Sequence, residues 1–324
     1  MFKPFSILLL SFLFSCQMPL EKVSDKIVIA HRGASGYLPE HTMESKAMAY
    51  GMNAHFIEQD LVLSKDGIPI VIHDIYLDEV TNVQELFPDM SRSDGRYYVI
   101  DFTYEQIKTL SVFERFDHKT KKPVFPDRFP YNQSTFKLHR FQDEIEMIQG
   151  LNKSSGKTIG IYPEIKAPSF HRNEGKDISK IVLQILSDYG YTDQEDLCIL
   201  QCFDPTELQR IRKDLSSELF LTQLMEFPAG AEDLDNYAVY ANAIGPSIQQ
   251  LILAGTGKKE GNKIVDKAHE LGLKVHAYTF RKDEHPNFES YEDLLQFGFY
   301  DINLDGGFTD FPDITVQYLK ESPQ

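Results

Sequence analysis

The chain has 324 residues, of which 42% are hydrophobic and 25% charged, which is the balance of an ordinary globular protein. Its formal net charge of −16 argues against nucleic acid as a partner, because binding to DNA or RNA depends on clustered lysine and arginine. The length allows one large domain or two of ordinary size.

Residues 1–15 have the pattern of a secretory signal peptide, in which Lys3 precedes an apolar run too short to span a bilayer. The run ends in Leu13-Phe14-Ser15-Cys16, which resembles a bacterial lipobox, although a small residue is more usual than Phe14. We therefore predict export to the periplasm or cell surface, with a lipid anchor on Cys16 that associates the protein with a membrane. An ordinary signal peptide that is cut nearby is the alternative.

From residue 26 to about residue 318, strand-like and helix-like segments alternate, and we predict that this stretch is one domain. The predicted strands span residues 27–30, 55–63, 159–165, 197–203, 219–225, 240–244, 274–280 and 301–304, with residues 70–73 as a short hairpin partner of the second strand. The predicted helices span residues 42–50, 141–151, 177–189, 205–215, 262–271 and 290–297. This alternation predicts an α/β protein with a closed (β/α)₈ TIM barrel. A doubly wound open sheet is the alternative, but the glycines after the first strand lack the spacing of a dinucleotide site.

Residues 75–138, after the second strand region, interrupt this alternation. They are rich in Asp, Arg, Pro and aromatic residues and show no long periodic run. A segment of this length inside one domain is usually a functional insertion. Because it follows His73 almost directly, we expect it to rise from the catalytic face of the barrel and to wall a substrate pocket.

Two further cysteines, Cys198 and Cys202, lie on the same face of the strand predicted over residues 197–203. Four residues of extended chain separate them too far for a disulfide bond. A zinc site would need further cysteines or histidines at metal spacing, and none are near. We expect both to be buried, free thiols.

Three carboxylates interrupt apolar strands close to their C-terminal ends, where TIM barrels hold their active sites. Glu58 and Asp60 are two residues apart on one strand and so share a face, and Glu164 lies on the next long strand. Hard oxygen ligands of this kind suit Ca²⁺ or Mg²⁺. The alternative is that they are acids facing water in an acidic protein.

Two histidines, His31 and His73, follow strand candidates and are candidates for a general acid and a general base. With an ordinary pKa of about 6.5, histidine fills either role near neutral pH. The alternative is that each is a hydrogen-bonded core residue. Asp74 either orients His73 or is a simple turn acid.

Two basic residues, Arg32 and Lys166, adjoin these groups and are candidates for binding a phosphate. Ion pairs with the three acids are their alternative role. Further candidates for substrate contact lie near strand ends: Gln201, Phe203 and Tyr278. Glu40 and His41 stay open between helix capping and substrate contact, and His276 has the position of a structural strand histidine.

Five motifs closely resemble those of the glycerophosphodiester phosphodiesterase family, in particular its exported bacterial branch. They are HRGASGYLPEHT, IEQDLVLSKDGIPIVIHD, YPEIK, HAYTF and DGGFTDFPD, and together they extend over nearly the whole chain after the signal peptide. LQCFDP departs from the pattern, because a serine is expected before the phenylalanine. The resemblance implies a TIM barrel with an insertion after the second strand.

The resemblance also implies roles for individual residues. His31 and His73 correspond to the acid–base pair. The ligands of a divalent cation, calcium in the exported branch with magnesium as an alternative, correspond to Glu58, Asp60 and Glu164. Arg32 and Lys166 correspond to the residues that hold the phosphate.

The implied substrate is a small glycerophosphodiester, that is, a deacylated phospholipid. Its hydrolysis to sn-glycerol 3-phosphate and an alcohol would pass through a cyclic phosphate formed by the substrate's own glycerol hydroxyl. Two alternatives remain: a phospholipase D-like lipase acting on intact lipids, and a surface-anchored binding protein or adhesin on the same scaffold.

Overall fold

The computed structural model describes residues 26–226, 233–253 and 261–322. The predicted signal peptide at residues 1–15 and the predicted lipidation site at Cys16 lie outside the described residues. Over the three described ranges, no helix combines the length and apolar character that crossing a membrane requires.

Eight parallel strands of the described chain close into a barrel, which confirms the predicted TIM-barrel fold. Neighbouring strands follow chain order, and β1 closes the ring by pairing with both β2 and β9. A further strand, β3, runs antiparallel to β2. In chain order the strands are β1 (Ile27–Ala30), β2 (Phe56–Leu63), β3 (Pro69–Val71), β4 (Gly160–Ile165), β5 (Ile199–Cys202), β6 (Phe220–Leu224), β7 (Ala243–Gly245), β8 (Lys274–Phe280) and β9 (Gly306–Thr309).

Several helices begin at the capping residues that the sequence provides. Thr42 accepts a hydrogen bond from the backbone N–H of Ser45 at the start of the first helix. Asp204 caps the seventh helix, whose first residue is Pro205. The helices of the described ranges are α1 (Met43–Gly51), α2 (Val83–Leu86), α3 (Tyr104–Ile107), α4 (Phe141–Ser155), α5 (Pro168–Asn173), α6 (Ile178–Asp188), α7 (Pro205–Lys213), α8 (Leu234–Tyr237), α9 (Ile248–Leu253), α10 (Gly261–Glu270), α11 (Tyr291–Gln296) and α12 (Pro312–Glu321).

Alternation along the strands separates two apolar layers. On β2, Ile57 and Leu61 join the large core cluster that also includes apolar residues of the helices, while Glu58 and Asp60 face the other way, into the barrel. Four buried side chains form a small apolar cluster inside the barrel, below these acids: Ile29, Tyr162, Ile199 and Phe308. The acids therefore lie above a buried, mainly apolar floor.

The predicted last strand at residues 301–304 is wrong. A π-helical turn, Phe297–Asp301, extends α11, and Ile302 and Leu304 are apolar because they fill the core from a loop. The last strand is β9, whose first two residues are glycines and so carry no strand-type side chain. A Cβ atom at Gly307 would lie 2.8 Å from the ring of Phe280, so the sheet and its packing require glycine there.

The segment of residues 75–138 lies between β3 and α4; we call it the insertion. It contains α2, α3 and two short 3₁₀ turns. Its buried apolar residues, among them Leu77, Val99 and Phe102, form a separate cluster with Val62 of β2 and Ile70 of β3. The insertion is therefore a packed layer and not a loose loop.

Cys198 and Cys202 are both buried, free thiols, as predicted. The thiol of Cys202 lies 3.3 Å from the backbone oxygen of Ile165 on β4. Burial raises the pKa of both thiols above the ordinary value.

Candidate active site

A cavity, which we call the cup, opens at the C-terminal ends of the barrel strands. Side chains from β1, β2, β3, β4, β5, β6, β8 and β9, or from the residues that follow them, line it. Nine of the ten residues that the sequence suggested for a site line the cup: His31, Arg32, Glu58, Asp60, His73, Glu164, Gln201, Phe203 and Tyr278. The tenth, Lys166, lies beside it, in an adjoining groove that shares Glu164 and Phe203 with the cup.

The register of two neighbouring strands brings the three acids together. Asp60 on β2 is paired directly with Glu164 on β4, and Glu58 lies one strand repeat earlier on the same inner face. One oxygen of each carboxylate lies within 4.8 Å of the oxygens of the other two. All three acids are buried, with Asp60 only 1% exposed.

Positive and amide groups surround this triad. Glu58 accepts hydrogen bonds from the backbone N–H of Arg32 at 2.8 Å and from the Gln201 side chain at 3.1 Å. Lys166 Nζ lies 2.7 Å from Glu164 and 3.6 Å from Asp60. These bonds leave Oδ1 of Asp60 buried without a hydrogen-bond partner.

The electrostatics of the triad favour a cation among the acids. Burial raises the pKa of Glu164 well above its ordinary value, and the charge of Asp60 adds to the rise against the opposing charge of Lys166. Burial acts in the same direction on Asp60 and is the largest single effect, but Lys166 and the two histidines His73 and His41 together outweigh it and hold the pKa of Asp60 well below the ordinary value. Three clustered carboxylates, one of them with an oxygen that accepts no hydrogen bond and has only the 3.6 Å ion pair with Lys166, are a donor set that fits a hard divalent cation.

His31 is held by an aspartate that the sequence analysis did not single out. Its Nδ1 lies 2.6 Å from Oδ1 of Asp310, the residue that directly follows β9. Its Nε2 lies 3.9 Å from Glu58 on the side of the cup. The ring is thus fixed from behind, with its other nitrogen facing the triad.

His73 has the same arrangement on another strand end. Its Nδ1 lies 2.8 Å from Oδ1 of the adjacent Asp74, so Asp74 contacts the ring instead of being a simple turn acid. Partial burial lowers the pKa of His73 below its ordinary value, and the charges of Arg32 and Lys166 act in the same direction. An imidazole of this kind is neutral near pH 7 and can accept a proton.

Arg32 points into the cup but is tied to an acid outside the triad. Its Nη1 is 3.0 Å from both oxygens of Glu40, whereas its Nε is 3.6 Å from Asp60. Glu40 is therefore an ion-pair partner of Arg32. His41 also has a defined partner, because its Nε2 lies 2.7 Å from Oδ2 of Asp60.

The remaining candidates form the wall and floor of the cup. The ring of Phe203 packs edge-on against Tyr278 with 5.9 Å between centroids, and the Tyr278 hydroxyl donates to the backbone oxygen of Met225. His276 does not line the cup. It lies 2.9 Å from the hydroxyl of Tyr162 in the barrel interior, as a structural histidine would.

Sequence reasoning missed four polar residues at this site: Asp310, Arg281, Arg115 and Arg128. Asp310 has a detectable signal, because it follows a strand within DGGFTDFPD, but the sequence pattern predicts that strand five residues too early. Arg281 likewise follows β8 and lines the cup. Arg115 and Arg128 lie in the insertion, where no local pattern indicates what they contact.

Comparisons with known proteins agree on one family. Residues 31–314 match the Glycerophosphoryl diester phosphodiesterase family. The chain is similar to a glycerophosphodiester phosphodiesterase of Haemophilus influenzae, with 44% identity over 92% of this chain and 90% of that protein. It is also similar to one of Treponema pallidum, with 35% identity over 91% of this chain and 92% of that protein.

A solved structure shares the fold at lower sequence similarity. It is a phosphodiesterase of Oleispira antarctica in complex with the product sn-glycerol-3-phosphate, with a TM-score of 0.64 and 20% identity. The match covers 91% of this chain and 97% of that one. At this identity the likeness supports the barrel fold.

Proposed function

The chain belongs to the glycerophosphoryl diester phosphodiesterase family, and from this premise we propose that it hydrolyses glycerophosphodiesters by metal-assisted acid–base catalysis. It is an enzyme, a phosphoric diester hydrolase. The proposed products are sn-glycerol 3-phosphate and an alcohol, and the product complex of the Oleispira relative supports this choice. One observation carries the proposal: a buried carboxylate triad and two histidines from separate strand ends meet in one cup.

Three acids would hold the cation, namely Glu58, Asp60 and Glu164, and we propose Ca²⁺ as the ion, with Mg²⁺ as the alternative. When bound, such a cation polarises phosphate oxygens and stabilises the negative charge that develops on them. Arg32 lines the cup and Lys166 lies next to Glu164, so both can contact the phosphate of a substrate bound there.

The two imidazoles carry the proton transfers. Each Nδ1 is engaged by an aspartate, which leaves each Nε2 for the substrate. One histidine takes the proton of the glycerol hydroxyl, whose oxygen then forms a bond to phosphorus. The other histidine gives a proton to the alcohol oxygen as its bond to phosphorus breaks. Water opens the resulting cyclic phosphate with the two roles reversed.

The test is the release of sn-glycerol 3-phosphate from glycerophosphocholine, with and without a chelator. We expect His31→Ala and His73→Ala each to lower turnover by at least ~10²-fold, because each removes one proton-transfer group. His269→Ala is a matched control, since its side chain is 29% exposed, against 30% for His73, and pairs with Asp305 away from the cup.

Two outcomes would contradict the proposal. Turnover within a few-fold of wild type in a folded His31→Ala or His73→Ala variant would refute that histidine's role. Activity that resists the chelator would refute the metal. Lysophosphatidylcholine as a parallel substrate separates the diesterase from a phospholipase D-like lipase, which would prefer the acylated compound.

We also propose that the protein is exported and anchored through lipid on Cys16. The support is the order of the first residues: a charged residue, Lys3, is followed by an apolar run and then by Leu13-Phe14-Ser15-Cys16. Anchoring and catalysis are compatible, because the catalytic groups all lie at or after residue 31.

A further inference from the structure

An arginine of the insertion stands behind His31. His31 Nδ1 lies 2.6 Å from Oδ1 of Asp310, and Nη2 of Arg128 donates to the other oxygen of Asp310 at 2.7 Å. The three groups form a continuous line from the insertion to the cup. Asp310 is 1% exposed and the Arg128 side chain 4% exposed, so the line is shielded from water.

A second arginine of the insertion stands behind His73 in the same way. His73 Nδ1 lies 2.8 Å from Oδ1 of Asp74, and Nη1 of Arg115 donates to Oδ2 of Asp74 at 2.6 Å. The two arginine–aspartate–histidine lines reach the cup from different strand ends. Both arginines, however, come from one segment of the chain.

We propose that the insertion is part of the catalytic machinery, because Arg128 and Arg115 are positioning residues that orient His31 and His73 through their aspartates. This inference rests on the proposed function. None of the described residues that line the cup belongs to the insertion, so the expectation that it walls the pocket is wrong, and its role in turnover would come through contacts behind the two histidines.

Physical chemistry explains why these aspartates need their arginines. A buried carboxylate is costly unless it is paired and hydrogen-bonded. Without Arg128, Asp310 would keep Arg281, whose Nε donates to the same oxygen at 2.8 Å, but it would lose one of two fixed donors. A carboxylate that can rotate no longer holds an imidazole in one orientation, and misplacement of a catalytic group slows turnover steeply.

Both arginines are themselves held rigidly. Arg128 binds Asp283 through two nitrogens at 2.7 and 3.0 Å, and its guanidinium lies 3.6 Å from the ring centre of Phe125. Arg115 binds Glu40 through two nitrogens and Glu79 through a third contact. Each guanidinium group is planar and is held by these acids, so its remaining N–H donors can hold the aspartate behind the histidine in one orientation.

The first experiment measures kcat, KM and thermal unfolding for Arg128→Gln and Arg115→Gln, with glycerophosphocholine as substrate. We expect kcat to fall by ~10- to 100-fold in both variants, the usual cost of losing a group that orients a catalytic ligand or residue. KM should stay nearly unchanged in Arg128→Gln, whereas Arg115→Gln should also raise it, because Arg115 binds Glu40, the ion-pair partner of Arg32. Arg92→Gln is the matched control. Arg92 also lies in the insertion and also joins two acids, Asp101 and Glu174, but it contacts neither aspartate of the two lines.

A double-mutant cycle separates positioning from general weakening of the fold. If Arg128 acts only through Asp310, Asp310→Asn and Asp310→Asn/Arg128→Gln have the same kcat, because the pathway is already broken. If the two losses multiply instead, Arg128 acts elsewhere and the inference is overturned. The corresponding cycle for His73 compares Asp74→Asn with the double variant Asp74→Asn/Arg115→Gln.

Arg128→Lys keeps the experiment decisive if Arg128→Gln does not fold. Lysine keeps the charge but cannot hold Asp283 and Asp310 at once, so we expect a folded protein with intermediate kcat. Wild-type kcat in folded Arg128→Lys and Arg115→Lys would overturn the inference. The proposed function fails separately, and takes the inference with it, if His31→Ala retains wild-type turnover.

Discussion

At Lys46, a charged side chain has no exposed surface at all, although it lies outside the barrel. Its Nζ donates to the backbone oxygen of Glu58 and lies 3.2 Å from Glu144 Oε1 on α4. Glu144 also accepts hydrogen bonds from Gln59 at 2.7 Å and interacts with His139 Nε2 at 2.8 Å. A second buried polar network therefore supports β2 from behind, next to the acids of the cup.

This network predicts a contribution of Glu144 to acid stability. Burial opposes the charge on Glu144, but Lys46 and His139 outweigh burial and lower the pKa to about 2 from an ordinary 4.5. Because the pKa of Glu144 is lower in the folded than in the unfolded state, its charged carboxylate stabilises the fold at pH values above about 4.5. This stabilisation is lost as the pH falls from about 4.5 towards 2. The shift corresponds to roughly 3 kcal/mol of unfolding free energy at pH 7.

Glu144→Gln should therefore lower the free energy of unfolding at pH 7 by roughly 3 kcal/mol, and by much less near pH 2. Urea denaturation at the two pH values measures this difference. Glu146→Gln, which changes an exposed acid on the same helix, is the control and should leave both values unchanged. An equal loss at both pH values would show that the carboxylate charge contributes nothing.

Contacts between individual side chains are what the sequence predicted least well. Glu58, Asp60 and Glu164 stood out because they break apolar strands. Asp310 and His31, which touch, are separated by 279 positions, and nothing local marks them as partners. Arg115 and Arg128 lie in a segment without periodicity, so their contacts follow only from the folded chain.

Among the elements, β2 and β4 matter most for function, because their register creates the triad. Strand alternation predicted that Glu58 and Asp60 share a face, but only the pairing of Asp60 with Glu164 brings the third acid to them. Sequence patterns specify which side chains face inward. They do not specify how far one parallel strand is shifted along the next.

The triad predicts stabilisation by a divalent cation that binds only the folded state. With Ca²⁺ at a hundred times its Kd, mass action adds about 2.7 kcal/mol to the free energy of unfolding. Thermal unfolding with and without Ca²⁺ measures the effect, which should disappear in Glu164→Gln. Glu174→Gln also removes one negative charge, but outside the triad, so this variant should still be stabilised by Ca²⁺. Equal stabilisation of both variants would place the ion elsewhere.

The element that sequence reasoning misplaced, β9, leads to a prediction of its own. In Gly307→Ala the new Cβ would lie 2.8 Å from the ring of Phe280 and 2.9 Å from that of Phe299, two buried rings that cannot move freely. Such overpacking should cost about 1–3 kcal/mol. Gly150→Ala on α4 meets open space and should stabilise the protein by about 0.5–1 kcal/mol. Chemical denaturation of the two variants tests both signs, and a neutral Gly307→Ala would contradict this account of β9.

For the molecule as a whole, the sequence predicted the barrel well although one of the eight predicted strands was wrong, because repeated alternation of apolar strands and helices leaves few alternatives. It predicted an insertion over residues 75–138 from their lack of periodicity. The insertion packs as a second core around Leu77, Val99 and Phe102. The absence of periodicity did not predict this core. Its link to the cup is through Arg115 and Arg128, which contact Asp74 and Asp310.

The anchored, exported state that we propose can be tested on the intact chain. In a bacterial host, Cys16→Ser should abolish the incorporation of labelled palmitate, because the thiol that accepts the lipid is gone. The variant should also move from the membrane to the soluble fraction with its phosphodiesterase activity intact. Cys198→Ser, at a buried thiol, is the control and should keep the label. Equal labelling of wild type and Cys16→Ser would refute the anchor.

The two thiols enclosed between the barrel and its helices have one more consequence. Only a thiolate reacts readily with alkylating agents, and here burial both hides the sulfur atoms and disfavours the thiolate. Cys198 and Cys202 will therefore be labelled only in molecules whose barrel has opened. The rate at which these two thiols are alkylated therefore reports the opening of the barrel under native conditions, without an added dye or tag.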